Sequence, residues 1–121
     1  HQDPNGGGVM TISSGMLDSS SVVTSHRAKL KSVHVNTGVT CATTNLLIKI
    51  WDSRAETGGV PTPGGTQTKR KELLRILANG NHTTAGLGAF NYECDTHGVL
   101  ANEGIYVEFV TGTGHCYVTY E

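Results

Sequence analysis

A chain of 121 residues, with 36% apolar and 16% charged residues, has room for one domain with a modest core. Its net charge of −1 at pH 7 gives no basic footprint for nucleic acid, and no apolar run approaches membrane-spanning length. Sixteen glycines and abundant Thr, Ser and Asn suit short strands joined by turns, against a helical bundle, and the clean alternating apolar runs argue against disorder.

Residues 1–8 (His-Gln-Asp-Pro-Asn-Gly-Gly-Gly) are expected to be a flexible N-terminal arm, and residues 9–121 a single β-sandwich domain. No signal peptide is visible, and the chain begins at His1. Val9 to Ile12 alternates as a first short strand, and Ser21 to Ser25, around Val22-Val23, reads as an edge strand. Between them Gly15 and Asp18 are turn residues, with Met16-Leu17 as an apolar plug. Arg27 to Asn36 is a stronger strand. Ala28 and Leu30 share one parity and Val33 and Val35 the other, which predicts a β-bulge near Lys31-Ser32.

Asn45 to Asp52 is the strongest strand of the first half. Leu46, Ile48 and Ile50 face one way and Leu47, Lys49 and Trp51 the other, as in a central strand covered in part on both faces. Ser53 to Thr68, with Pro61, Pro63 and the paired glycines Gly58-Gly59 and Gly64-Gly65, is a long loop, either solvated or functional. Lys71 to Ala78 has the propensity of a two-turn helix, but its context and alternation read as a strand. Asn79 to Asn81 and Thr83 to Gly88 are turns or loops. In Ala89 to Asp95, Phe90, Tyr92 and Cys94 alternate with Asn91 and Glu93, as in a half-buried strand. Val99 to Asn102 is a connector.

Gly104 to Glu121 closes the domain. Ile105, Val107 and Phe109 share one face, and Cys116, Val118 and Tyr120 share another, on either side of Thr-Gly-Thr-Gly. Two period-2 runs around a glycine-rich turn predict a hairpin at the centre of the fold. The fold class is all-β: an antiparallel β-sandwich of jelly-roll or Greek-key type, with about seven or eight strands.

No catalytic, cofactor or metal residues are assigned. Six histidines are scattered; strand geometry could gather His97, His115, Asp95 and Cys116 into a zinc-like shell, but rim histidines are the simpler reading. A Cys116–His97 dyad has no supporting signature, and no Gly-x-Ser-x-Gly elbow is present. Glu93 and Glu108 are the nearest thing to a carboxylate pair, and solvent-facing strand positions explain them. Gly86 to Ala89 and Gly64 to Lys69 lack nucleotide-binding spacing, and Asn81-His82-Thr83 is a formal glycosylation sequon. Lys69-Arg70-Lys71, followed by Glu72, reads as a solvated loop end. Trp51, Tyr106 and Tyr117 could form a sugar-stacking platform, although a lone Trp on the main apolar strand usually belongs to the core. Cys41, Cys94 and Cys116 lack Cys-x-x-Cys spacing and fit buried thiols in a reducing compartment. Cys94 and Cys116 could still face each other across the core.

The order of features carries a resemblance: a strand ending near Val35, Leu47-Ile48-Lys49-Ile50-Trp51-Asp52, a glycine-rich loop, Leu73-Leu74-Arg75-Ile76, and Gly104 to Phe109 before a terminal Tyr-Val-Thr-Tyr. Over Ala28 to Glu121 this resembles small β-sandwich accessory proteins of tailed-phage virions, namely head decoration (cement) proteins and related head-tail appendages. The closing run is also similar to trimeric jelly rolls of the tumour-necrosis-factor and complement type, which the absent signal peptide and the cysteine pattern fit less well. The phage resemblance implies a non-enzymatic virion structural protein, assembled in the host cytoplasm. Its partners would be the major capsid or another virion protein and its own copies, as a homotrimer, with no cofactor, nucleic acid or membrane. A lectin-like carbohydrate-binding module is the alternative.

Overall fold

The computed structural model describes residues 10–37, 45–54, 71–78, 90–94 and 97–121. The expected arm at 1–8, Cys41, most of the Ser53–Thr68 loop, the turns at 79–88 and Asp95 lie outside them. The described residues form nine strands and no helix: β1 Ile12–Ser13, β2 Ser21–Thr24, β3 Ala28–Asn36, β4 Leu46–Asp52, β5 Lys71–Ala78, β6 Phe90–Glu93, β7 Val99–Ala101, β8 Ile105–Thr111 and β9 His115–Tyr120. Alternation wins over helix propensity at Lys71 to Ala78, because Ile76 and Ala78 complete a buried sheet face against Ile48 and Leu46.

Two antiparallel sheets make the sandwich. One has the order β1-β9-β3-β6, with β7 also on β3, and the other has the order β2-β8-β4-β5. We call them sheet A and sheet B. Successive strands change sheet except at β4–β5 and β6–β7. That is jelly-roll connectivity. Nine strands exceed the expected number because the connector at Val99 pairs with Leu30 and continues sheet A beyond β6.

The core is the set of inward positions that alternation marks. Leu30, Val33, Val35, Cys116 and Val118 from sheet A meet Leu46, Ile48, Ile50, Ile105 and Val107 from sheet B. The parity change in β3 is a bulge: the pairing with β9 slips between Leu30 and Ser32. The extra residue, Lys31, uses its carbonyl to accept the Cys94 N–H at 2.9 Å. Leu30 and Val33 can then both face inward.

The expected β8–β9 hairpin does not form. β8 pairs with β2 and β4, while β9 pairs with β1 and β3. The turn carries the chain from one sheet to the other, so Val107 and Val118 face each other's layer across the core. Each strand is nevertheless central in its own sheet. Cys94 and Cys116 are both thiols and do not oppose each other across the core. Both flank β3 in sheet A, Cys94 beside Lys31 and Cys116 opposite Val35.

Burial pushes the Cys116 thiol from an ordinary value near 9.0 up to about 12. An unfolded chain loses this proton first. The neutral thiol's contribution is therefore complete below pH 9.0 and is lost as pH rises toward about 12. Urea unfolding from about pH 8 to about pH 11 should show a smaller decline in stability for Cys116→Ala than for the native chain. Equal declines would mean that the thiol contributes nothing in this window.

Candidate functional site

The structure separates the residues that chemistry would need together. His115 and Cys116 are neighbours on β9 and point to opposite faces, with Cys116 in the core. His97 precedes β7, which pairs at Leu30, whereas Cys116 pairs at Val35. Five strand positions separate those pairings, or about 17 Å, so His97 and Cys116 form no dyad, and the described members of the zinc-like shell, His97, His115 and Cys116, do not come together. Among the described residues no group of three or more His, Cys, Asp or Glu side chains could hold a metal ion. Glu93 lies in sheet A opposite Ser32, and Glu108 lies in sheet B opposite Lys49. The two carboxylates sit on opposite outer faces of the sandwich.

The aromatic platform is also dispersed. Trp51 and Tyr106 oppose each other on the outer face of sheet B, while Tyr117 is on the outer face of sheet A. Trp51 and Tyr106 are only 7% and 3% exposed. The Trp51 indole N–H donates to Glu108 Oε1 at 2.8 Å, and Lys49 Nζ lies 5.9 Å from the ring centroid. These contacts satisfy the one polar atom of a covered ring, which is a packing role.

An open depression of about 250 Å³ is lined by Arg27, Ala28, Lys29, Leu100 and Glu121. It gathers two cations and a carboxylate around an aliphatic side chain, without a nucleophile.

What stands out is the apolar surface at the two ends of sheet A. On β6, Tyr92 and Phe90 pair with Val33 and Val35, whose side chains are fully buried. Opposed residues on antiparallel strands share a face, so both rings project on the core side. Yet Phe90 is 42% and Tyr92 37% exposed. The strand expected to be half-buried is exposed throughout. At the other end, Ile12 of β1 pairs with the inward Tyr120 and is 47% exposed. Met10 and Met16 are exposed beside it in sequence.

The β1 end is nevertheless well anchored. Ser14 N–H donates to the Val118 carbonyl at 2.8 Å, and Ser14 Oγ accepts from Val118 N–H at 3.0 Å. Leu17 and Cys116 exchange two backbone bonds, each 2.8 Å. The segment thus extends sheet A along β9 while leaving Met10, Ile12 and Met16 exposed to solvent. Sequence parity marked Phe90, Tyr92 and Ile12 as one-sided. It carried no signal that their inward side would stay open, because that depends on how far the opposite sheet reaches.

Comparison with protein-family models, with curated proteins and with solved structures finds no match to this chain.

Proposed function

We propose that this domain is a non-enzymatic structural protein of a phage virion, decorating or stabilising a capsid or head-tail assembly through protein contacts. The observation that carries this reading is the pair of open sandwich ends. Core-side Phe90, Tyr92 and Ile12 are exposed where a self-contained sandwich would cover them. Apolar side chains concentrated at strand edges favour a neighbouring protein. The resemblance of Ala28 to Glu121 to decoration and cement proteins supplies the kind of neighbour: the major capsid or another virion protein, and symmetric copies of this chain as a homotrimer.

Two measurements test it. Density-gradient fractions from the native source, analysed by peptide mass spectrometry, should contain this chain at fixed stoichiometry with particles of virion size. Its presence only at the top of the gradient would defeat the proposal. For the purified chain, analytical ultracentrifugation should give a small oligomer, and the double variant Phe90→Ser, Tyr92→Ser should sediment as a folded monomer. A native chain that is already monomeric at high concentration would remove the homotrimer from the proposal.

A further inference from the structure

The outer face of sheet A differs in kind from both its edges and the outer face of sheet B. We propose that it is a binding face for a neutral oligosaccharide, centred on Tyr117, His34 and Asn91. The argument does not rest on the virion reading, since these side chains point away from the core side that Phe90 and Ile12 share.

Strand register builds the face. His34 pairs with Tyr117 on one side and with Asn91 on the other. A row of three side chains therefore crosses three adjacent strands, spanning about 10 Å. That is the scale of two linked pyranose rings. Tyr117 and His34 are an aromatic pair with centroids 6.0 Å apart and planes tilted by 53°. Tyr117 is 38% exposed, and His34 and Asn91 are also exposed. One row along, Asn36 pairs with His115. In the other direction Ser32 pairs with Thr119 and Glu93, and the Ser32 and Thr119 hydroxyls hydrogen-bond to each other at 2.5 Å.

The chemistry of these groups selects the ligand. Amide, imidazole, hydroxyl and carboxylate side chains offer both donors and acceptors, as vicinal sugar hydroxyls require. The exposed Tyr117 ring offers a flat apolar surface for the C–H face of a pyranose, at low conformational cost. Among the described residues no arginine fork of the kind that captures phosphate or sulfate stands beside Tyr117; the nearest cation of this face in sequence, Lys31, pairs with Glu121 at 3.8 Å. Nor does the row carry the aliphatic anchors of a protein interface. Sheet B presents such anchors instead, with Leu77 and Val110 exposed. The site differs from the platform suggested by sequence: of those three aromatics, it keeps Tyr117 alone.

The test is a heteronuclear NMR titration of the full chain with three probes: maltohexaose, chitohexaose and mannohexaose. At least one should give saturable shifts that map to Ser32–Asn36, Phe90–Glu93 and His115–Thr119. Tyr117→Ala should weaken that binding roughly tenfold or more, and Tyr117→Phe should retain most of it. Asn91→Ala should weaken it several-fold, and Leu77→Ala, on the other sheet, should leave it unchanged. Absence of saturable shifts with all three probes at about 10 mM overturns the proposal, because a site that leaves no saturation there contributes less than the free energy of a roughly millimolar Kd. So does a shift pattern on sheet B, or binding indifferent to Tyr117→Ala.

Discussion

Replacing Asp52 with alanine is expected to cost about 3 kcal/mol of folding stability, because several buried or half-buried backbone donors lose one acceptor group together. Asp52 ends β4 and is 4% exposed. Its Oδ2 accepts the Asn102 N–H at 3.0 Å, and its Oδ1 accepts the N–H groups of Glu103 at 2.7 Å and Gly104 at 3.4 Å. These residues form the turn from β7 in sheet A to β8 in sheet B. One carboxylate thus ties a crossing between the layers to the end of a central strand. The Ser53 N–H, bonded to the Gly104 carbonyl at 3.2 Å, and the Arg54–Glu103 ion pair at 3.5 Å support the same turn from outside. Asp52→Asn keeps one side-chain acceptor and should lose roughly half as much. Urea unfolding followed by Trp51 fluorescence reads both, since the chain has a single tryptophan and it adjoins Asp52. A loss below about 1 kcal/mol for Asp52→Ala would show that water replaces the carboxylate at this turn.

Gly112→Ala should be comparably damaging, at about 3 kcal/mol, and much worse than Gly15→Ala. Both glycines have positive φ, +77° and +74°. An alanine pays about 1–2 kcal/mol for that conformation wherever it stands. At Gly15 nothing lies within 4 Å of an added Cβ, so that is the whole cost. At Gly112 the Cβ would come within 2.6 Å of the Asn45 carbonyl oxygen and 2.8 Å of Leu46 Cα, both rigid backbone. Thr111 Oγ1 also donates to the Asn45 carbonyl at 2.9 Å, so the turn cannot back away without losing that bond. The pair of variants separates backbone strain from steric overlap. Equal losses at the two sites would mean that the β8–β9 crossing has slack that its close packing denies.

Gly112 also explains why the C-terminal runs make a crossing. In the sequence, Thr-Gly-Thr-Gly between two alternating strands satisfies every local rule for a hairpin. In the fold the turn is seated on the start of β4 at Asn45-Leu46. A Cβ on Gly114 would meet Asn36 O at 2.5 Å and Leu46 Cδ2 at 2.7 Å. Those contacts link the end of β3 in one sheet to the start of β4 in the other. Glycine is needed there for close approach between layers, and the letters are the same as for a tight turn within one sheet.

By itself the sequence determined most of the extended runs and, for the central strands, which side faces the core. Leu46, Ile48 and Ile50, Val33 and Val35, and the slip at Lys31 all follow from period-2 alternation. That pattern reports the medium on each side of a strand, and nothing else about its neighbours. Only the tertiary structure decided which strands share hydrogen bonds. It moved β8 and β9 into different sheets, turned Val99 to Ala101 into a strand, and buried Trp51 on an outer face under Lys49 and Glu108. The open rings of Phe90 and Tyr92, and the alignment of Tyr117, His34 and Asn91, arise in the same way. Both depend on strand order and on the extent of the opposing layer, and contacts between residues far apart in the chain set these terms.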